Sequence, residues 1–364
     1  MARNASRDAG AGAALPGTPA INWLLRESTS VSGPGALLGE LCNRLVAEGV
    51  PIEGAILTLT SLDPVVARTR LRWNREGGRV LEEVLLHGMA AVGAAAESNS
   101  LRSAVPGTEY EIEWRTGPAG GFANDQRAYL DAVGVVMAAP LQVVVGRGLT
   151  RNLLQAYLGR RSAETVLSGA VRRGIGETIE AVIWVSDLRD FTLLSEALSS
   201  DQIITALNDC CGRLVGAIQP FGGEVLKFIG DGLLAIFPLA VRGERAACDG
   251  AISAVRAARQ GMALLDAERI RVGLPPLPFG VGLHLGAVVY GNIGAPDRLD
   301  FTAIGPAVNA ASRIEGLCRA LGYPVLISKD VAGRCGSSLA RVGRHPLRGS
   351  ARPVELFTLP DLLS

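Results

Sequence analysis

From Gly174 onward, apolar strand-like runs alternate with long helical patterns. The run Ala-Val-Ile-Trp-Val at 181–185 is apolar throughout and predicts a strand that is buried on both faces. Helical patterns follow at 192–217 and 244–265, with hairpin signals between them. Helices packed in layers against a sheet bury all of these apolar faces together. The second half of the chain is therefore predicted to be an α/β sandwich with a mixed sheet.

The first part of the chain is organised differently. Residues 1–20 are rich in Ala, Gly and Pro without the apolar core of a signal peptide, so we expect a disordered tail. Helical patterns bracket several strand-like runs in residues 21–147, and the Val-rich run 133–145 is predicted as a strand. This region predicts a regulatory α+β sensor-like domain, loosely similar to a GAF domain, whose ligand the sequence does not identify. Residues 148–175 predict a helical linker, broken in two by Gly159.

Charge and composition argue against several classes of partner. The net charge of +1 provides no field that would attract a polyanion, so we expect no nucleic-acid partner. The longest apolar run, 133–145, contains Pro140 and is too short to cross a bilayer, so we expect no membrane insertion. The six cysteines form no CxxC pair and have no metal-ligand spacing, which is typical of a reducing compartment. The chain is therefore predicted to be soluble and cytoplasmic.

Lysine is rare in this chain. Lys227 and Lys329 are the only two, so 34 of the 36 basic residues are arginines. Lys227 lies four residues before Asp231 in the hairpin segment 223–232. Lysine is a compact point charge with three donors, whereas arginine is a broad planar fork. A narrow slot for one hydrogen bond to a base requires the smaller group, which makes Lys227 a candidate base contact.

Two carboxylates lie at places where a cation could bind. Asp187 comes at the end of a predicted strand, and Asp231 is at the tip of a predicted hairpin. Carboxylates placed in this way can converge on one Mg²⁺ ion, which binds oxygen ligands. Each has a structural alternative: Asp231 and Gly232 form a favoured hairpin turn, and Asp187 could cap the following helix.

A third segment, residues 299–314, adds two polar side chains on a helical pattern. Asn309 and Arg313 are spaced i, i+4 and project from one helical face. Their apolar neighbours predict burial, where an amide and a guanidinium need polar partners. Arginine suits phosphate oxygens, and asparagine can bond a ribose or a base edge. A mutually satisfied structural pair is the alternative.

Four ordered segments resemble the class III nucleotidyl cyclase catalytic domain across residues 176–360. They are Ser-Asp-Leu-Arg-Asp-Phe-Thr (186–192), Lys-Phe-Ile-Gly-Asp-Gly-Leu-Leu-Ala-Ile-Phe (227–237), Gly-Val-Gly-Leu-His-Leu-Gly (280–286) and Phe-Thr-Ala-Ile-Gly-Pro-Ala-Val-Asn-Ala-Ala-Ser-Arg-Ile (301–314). The 44 residues from Asp187 to Asp231 (231 − 187) also fit the family's arrangement. The resemblance implies a catalytic domain over residues 176–364 with a mixed, mainly antiparallel sheet flanked by helices.

The resemblance assigns one group of residues to metal and phosphate binding. It implies that Asp187 and Asp231, helped by the backbone carbonyl of Leu188, hold two Mg²⁺ or Mn²⁺ ions in each active site. Phe191 and Thr192 fall where the family's helix amino terminus meets the substrate phosphates.

A second group is assigned to the rest of the nucleotide. Lys227 and Thr302 occupy the positions that contact the purine, and Asn309 and Arg313 match the pair that orients the ribose and stabilises the transition state. Arg348 aligns with a basic residue that holds the terminal phosphates. The resemblance also implies a head-to-tail homodimer, in which one subunit supplies the carboxylates and its partner supplies this second group.

Substrate choice depends on the purine positions. Lys227 favours ATP, because guanylate cyclases of this family place Glu there. Many adenylate cyclases have Asp where this chain has Thr302, and the Thr variant resembles the subgroup that includes bicarbonate-responsive soluble cyclases. Asp300 lies two residues earlier, outside the register of the motif.

We therefore expect a soluble adenylate cyclase that forms 3′,5′-cyclic AMP and pyrophosphate and is regulated by residues 21–147 in signal transduction. A guanylate cyclase and a catalytically inactive cyclase-like sensor or dimerisation module are the alternatives. Asp190 stands where the family often has Gly, and its role is open. His284 lies in an apolar strand pattern, so we expect a structural role for it.

Overall fold

The structure is a computed structural model that describes residues 18–60, 66–87, 99–118, 120–169, 172, 174, 176–348 and 352–362. The chain divides into two compact units, Met1–Leu153 and Leu154–Ser364. Residues 1–17 of the tail predicted over residues 1–20 lie outside the described residues. A helix begins at Pro19, so the prediction is wrong for the last two residues of that segment.

The first unit contains a five-stranded antiparallel sheet and three helices. Its elements are α1 (Pro19–Arg26), α2 (Pro34–Ala47), β1 (Gly54–Thr60), β2 (Val66–Asn74), β3 (Val80–Leu86), β4 (Ser100–Ala104), β5 (Glu111–Arg115) and α3 (Asn124–Leu158). The strand order is β3-β2-β1-β5-β4. Trp73 and Trp114 pair with Ala55 from either side, and all three side chains are buried in the core of this unit.

The predicted strand at 133–145 is wrong, because this run lies inside α3. Leu130, Val133, Met137, Leu141 and Val144 recur at helical spacing and are buried in the core of the first unit. Packing of this face outweighs the strand preference of the valines. Within the described residues, α3 is also the one helix long and apolar enough to span a membrane, with a mean hydropathy of 1.8 over its most apolar window.

The second unit is built around a larger sheet. Its elements are α4 (Arg160–Leu167), β6 (Gly176–Leu188), α5 (Phe191–Ala197), α6 (Ser200–Ile218), β7 (Glu224–Ile229), β8 (Gly232–Pro238), α7 (Leu239–Arg242), α8 (Glu244–Arg271), β9 (Phe279–Ala295), β10 (Arg298–Ile304), α9 (Pro306–Leu321), β11 (Val325–Ser328), α10 (Lys329–Ala332), β12 (Ala340–His345) and β13 (Val354–Thr358). Gly159, with a φ of 79°, separates α3 from α4 as predicted.

The large sheet is buried on both faces, as the apolar run in β6 predicts. Its order is β12-β13-β11-β9-β6-β8-β7, with β10 paired to β9. Val182 and Trp184 face the core formed with α6 and α8, whereas Ala181 and Ile183 face the core formed with α9. Among the described strands, all neighbouring pairs in this sheet are antiparallel except β11 with β9. The predicted mixed, mainly antiparallel sheet flanked by helices is confirmed.

Helix α9 lies very close to β9. An added Cβ on Gly282 would be 2.5 Å from the backbone oxygen of Ala311 and 2.5 Å from the backbone nitrogen of Glu315. An added Cβ on Gly286 would be 2.9 Å from the Cβ of Ala307. The missing side chain of Gly282 therefore allows main chain to pack against main chain, and that of Gly286 leaves room for the methyl group of Ala307. This packing fixes the helix that carries Asn309 and Arg313.

Candidate active site

Asp187 and Asp231 come together where β6 ends beside the β7–β8 hairpin. Ser186 pairs with Leu233, which puts Asp187 beside the first residue of β8, Gly232. A Cβ on Gly232 would lie 2.8 Å from Asp187 Oδ1, so the glycine leaves room for this carboxylate. The two predicted metal ligands therefore reach the same place from neighbouring strands.

The turn that carries Asp231 differs from the turn considered in the sequence. Ile229 pairs with Gly232, so the two turn residues are Gly230 and Asp231. Gly230 has a φ of 62°, whereas the one non-glycine residue with positive φ in the described part of the chain is Asp190. A glycine at the first turn position with positive φ fits a type II′ hairpin. Its conformation requires Gly230 and does not require an aspartate at position 231.

The electrostatics of the two carboxylates suit a divalent cation. Burial raises the pKa of Asp187, Asp231 raises it further, and Arg189 opposes both effects. The described residues contain no cluster of three or more His, Cys, Asp or Glu that could hold a metal. Mg²⁺ typically takes one or two carboxylates together with water and substrate phosphates, so a pair of aspartates beside the main chain of Leu188 fits such an ion.

The turn after Leu188 has an unusual backbone. Asp190 adopts the left-handed conformation with a φ of 55° and a ψ of 27°. Glycine adopts this conformation without steric cost, and aspartate tolerates it better than most residues. The turn leads into α5, where Phe191 is half-buried against the core and Thr192 is exposed.

The two predicted purine contacts lie on β7 and β10. Lys227 Nζ is 2.9 Å from Asp300 Oδ2, which brings these strands together. Thr302 is only 3% exposed, and its Oγ1 has no hydrogen-bond partner. A buried hydroxyl without a partner is costly, so the unused hydrogen-bonding capacity of this atom calls for an explanation. The sequence did not predict the contact of Asp300, because it joins residues that are 73 positions apart in the chain.

The predicted burial of Asn309 and Arg313 is wrong. Both side chains are exposed, and the buried face of α9 consists of Ala307, Ala311, Ile314, Glu315 and Cys318. The apolar neighbours pack onto the sheet, while the i, i+4 pair points away from it. The polar groups therefore need no partner within this chain and are free to contact another molecule.

Arg313 lines a cavity of about 540 Å³ with Ala310, Leu347 and His284. Arg348 directly follows Leu347 and is exposed. His284 Nδ1 lies 3.0 Å from Ser328 Oγ, and burial lowers the pKa of His284, which favours the neutral ring. The cavity places Arg313 near the segment that carries Arg348.

One ion pair beside the carboxylates was not predicted. Arg189 Nη2 donates to Glu315 Oε1 at 2.7 Å, linking the turn after Asp187 to α9. Both residues lie inside segments that carry the cyclase resemblance or directly after one. The single sequence signal is Gly280, which pairs with Asp187 and leaves space for the ion pair.

Comparisons with known proteins identify the family of the second unit. Residues 176–359 match the family described as "Adenylate and Guanylate cyclase catalytic domain". An adenylate cyclase of Anabaena cylindrica is 36% identical over 162 residues, which is 43% of this chain and 31% of that protein. Adenylate cyclase 1 of Rhizobium meliloti is 30% identical over 180 residues, which is 49% of this chain and 27% of that protein. The chain thus spans less than a third of the length of these two relatives.

A solved structure shows a similar fold. A bacterial light-regulated adenylyl cyclase superimposes with a TM-score of 0.52 at 24% identity, covering 67% of this chain and 68% of that one. The family match covers about half of the chain and includes the two carboxylates, the purine positions and the exposed pair on α9. The chain belongs to the adenylate and guanylate cyclase catalytic domain family.

Proposed function

We propose that this chain is an adenylate cyclase that converts ATP to 3′,5′-cyclic AMP and pyrophosphate. The observation that carries the proposal is the convergence of Asp187 and Asp231 at the end of β6. Lys227 supports ATP as the substrate, because its ammonium donates to acceptors and adenine carries ring-nitrogen acceptors. Two relatives named adenylate cyclase agree with this choice.

The active site is proposed to lie between two copies of the chain arranged head to tail. Asn309 and Arg313 are exposed on α9, although their proposed roles require contact with the substrate. A second copy would place this face opposite Asp187 and Asp231 and close the site. Each dimer would then contain two equivalent sites, and each chain would contribute to both.

The reaction forms a bond from the ribose 3′-oxygen, whose proton passes to solvent, to the α-phosphorus. It breaks the bond between the α-phosphorus and the bridging oxygen, which leaves with pyrophosphate. Two Mg²⁺ or Mn²⁺ ions held by Asp187, Asp231 and the carbonyl of Leu188 would activate the 3′-hydroxyl and neutralise the departing pyrophosphate. Arg313 would stabilise the negative charge that develops on the α-phosphate. Asn309 would orient the ribose, which brings the two reacting atoms into line.

The remaining residues would bind the ends of the nucleotide. Lys227 and Thr302 would contact the purine, and the unpartnered hydroxyl of Thr302 offers either a donor or an acceptor. Arg348 would pair with the terminal phosphates, as would the main chain at Phe191 and the side chain of Thr192. No protein nucleophile takes part in this scheme.

GTP is the second candidate substrate, and one observation favours it. Asp300 contacts Lys227 at 2.9 Å, so a carboxylate lies beside the proposed purine contact. Guanine presents N–H donors at both N1 and N2 that a carboxylate accepts, whereas adenine presents N–H donors only at N6 and has an acceptor at N1.

A direct assay separates these possibilities. The full chain and residues 176–364 would each be incubated with ATP or GTP in Mg²⁺ or Mn²⁺, and the cyclic product would be identified by chromatography. We expect cyclic AMP as the main product and no turnover from Asp187→Ala. Faster use of GTP would overturn the substrate assignment, and no product from either nucleotide would favour an inactive cyclase-like module.

We also propose a regulatory role for the first unit. Residues 21–147 would form a sensor-like, GAF-like domain for an unidentified ligand, and residues 148–175 would link it to the cyclase domain. All six cysteines are free, which supports a cytoplasmic location. Bicarbonate is one candidate effector through the Thr302 resemblance, and an activity that does not respond to bicarbonate at fixed pH would remove it.

A further inference from the structure

Two consecutive residues of the turn after Leu188 form ion pairs with α9. Arg189 pairs with Glu315 at 2.7 Å, and Asp190 pairs with Arg319 at 2.7 Å. Glu315 and Arg319 are one helical turn apart and lie on one face of the helix. The turn that follows the metal-binding carboxylate is therefore attached to α9 twice.

The two ion pairs differ in burial. The side chains of Arg189 and Glu315 are 18% and 10% exposed, whereas those of Arg319 and Asp190 are 70% and 50% exposed. Exposed ion pairs contribute little, because water screens them and long side chains lose entropy. Loss of one partner from a buried pair leaves an unpaired buried charge, which is costly. The Arg189–Glu315 pair is therefore the stronger constraint on the turn.

The sheet contains a gap that this pair fills. Gly280 pairs with Asp187 across β6 and β9. An added Cβ on Gly280 would lie 1.6 Å from Arg189 Nη2 and 2.7 Å from Glu315 Oε1. A side chain at this position would displace the ion pair, so the pair occupies the space directly opposite the metal-binding carboxylate.

Helix α9 does not depend on the ion pair for its own position. Its main chain packs directly against Gly282, through Ala311 and the backbone of Glu315. The turn at 189–190 is held by fewer contacts: the Arg189 main-chain N–H donates to the Pro278 carbonyl at 2.7 Å, Asp190 is exposed, and the Arg189 side chain reaches inward to Glu315. Helix α9 is therefore the fixed partner, and the ion pair sets the position of the turn.

We propose that Glu315, acting through Arg189, is a positioning residue that holds the metal-binding turn of its own chain in place. This proposal rests on the proposed function and on the head-to-tail arrangement. In that arrangement Asp187 serves one active site, while Arg313 on the same chain's α9 serves the other. Loss of Glu315 should therefore impair the site that uses Asp187 of the altered chain and spare the site that uses its Arg313.

Mixed dimers of the full chain test this asymmetry. One chain, the metal chain, carries Arg313→Ala and keeps Asp187; the other, the helix chain, carries Asp187→Ala and keeps Arg313. Two different affinity tags allow the mixed dimer to be isolated, and it contains one complete site. Glu315→Gln is then introduced into either chain, and the rate of cyclic nucleotide formation is measured against Mn²⁺ concentration.

We expect Glu315→Gln in the metal chain to raise the Mn²⁺ concentration for half-maximal rate by about tenfold, the lower end of the effect of residues that orient metal ligands. The same change in the helix chain should alter it by less than about twofold. Gly280→Ala, which displaces the ion pair without changing a charge, should show the same asymmetry. Arg319→Ala in the metal chain is the matched control and should have little effect, because it removes only the exposed ion pair.

Equal losses from Glu315→Gln in either chain would overturn the proposal, because a general loss of stability acts equally from both. A change of less than twofold from both chains would also overturn it. Inactivity of the starting mixed dimer, with an active wild type, would refute the shared sites and this proposal before Glu315 is changed. Absence of activity in the wild type with both nucleotides would instead refute the proposed function, so the two failures are distinguishable.

Discussion

The ion pair between Lys227 and Asp300 predicts how substrate choice can be altered. In the free chain, Asp300 accepts a hydrogen bond from the ammonium group that is proposed to contact the purine. We expect adenine to compete with this carboxylate for the donors of the ammonium group. Asp300→Asn removes the competing charge and leaves a side chain of nearly the same size. We therefore expect tighter use of ATP and weaker use of GTP.

The exposure of the ion pair sets the size of the effect. The Lys227 side chain is 34% exposed and that of Asp300 is 57% exposed, so water screens the pair substantially. Such pairs contribute about 0.2–1 kcal/mol, which corresponds to about a 1.4- to 5-fold change in binding. The KM for ATP should decrease after Asp300→Asn by a factor within this range. The ratio of kcat/KM for ATP over GTP should rise, because asparagine offers the N–H donors of guanine one neutral acceptor oxygen in place of two charged ones.

Steady-state assays with ATP and GTP at saturating Mn²⁺ measure both quantities. Asp297→Asn is the matched control, because it removes the same charge from the same exposed hairpin without touching the Lys227 contact. A similar shift from both variants would indicate a general charge effect. A higher KM for ATP after Asp300→Asn would refute the reasoning, since it would make Asp300 part of adenine recognition.

Three further predictions concern the carboxylates and a buried polar cluster. Asp187→Ala should abolish turnover while Asp190→Gly retains it, because glycine adopts the φ of 55° without strain; equal losses would show that this ranking is wrong. Tyr290→Phe should lower the free energy of unfolding by about 1–3 kcal/mol, because the buried hydroxyl bonds Ser162 at 3.0 Å and Glu224 at 3.2 Å; an unchanged urea midpoint would contradict this. Burial raises the pKa of Glu224 above its usual 4.5, so the native state retains this proton while the unfolded chain loses it. Stability should therefore fall as the pH rises above about 4.5, and Glu224→Gln should reduce this slope in urea titrations at several pH values; an identical slope in the variant would count against it.

The local patterns of the second unit were sufficient to predict that it contains a mixed sheet covered by helices. The apolar run 181–185 predicts a strand covered on both faces, and Val182 and Ile183 indeed face different cores. The secondary structure of residues 133–145 was harder to predict, because valine favours strands while the spacing of the buried residues is helical. Burial depends on which face meets the core, and composition alone does not give that face.

The candidate site shows the same limit. The residue types and spacing predicted Asp187 and Asp231 as neighbours, and the structure brings them together. The apolar neighbours of Asn309 suggested burial, but they cover only the opposite face of α9. The contacts of Asp300 and Glu315 join residues that are far apart in the chain, so no local pattern could reveal them.

The glycines beneath α9 have a consequence for how this family member can evolve. A methyl group at Gly282 would collide with main-chain atoms, which cannot move aside without displacing the helix. A methyl group at Gly280 would collide with the end of the Arg189 side chain, which can adopt other rotamers. Position 282 is therefore closed to larger residues, whereas position 280 could accept alanine in a lineage that had first lost its Arg189–Glu315 pair.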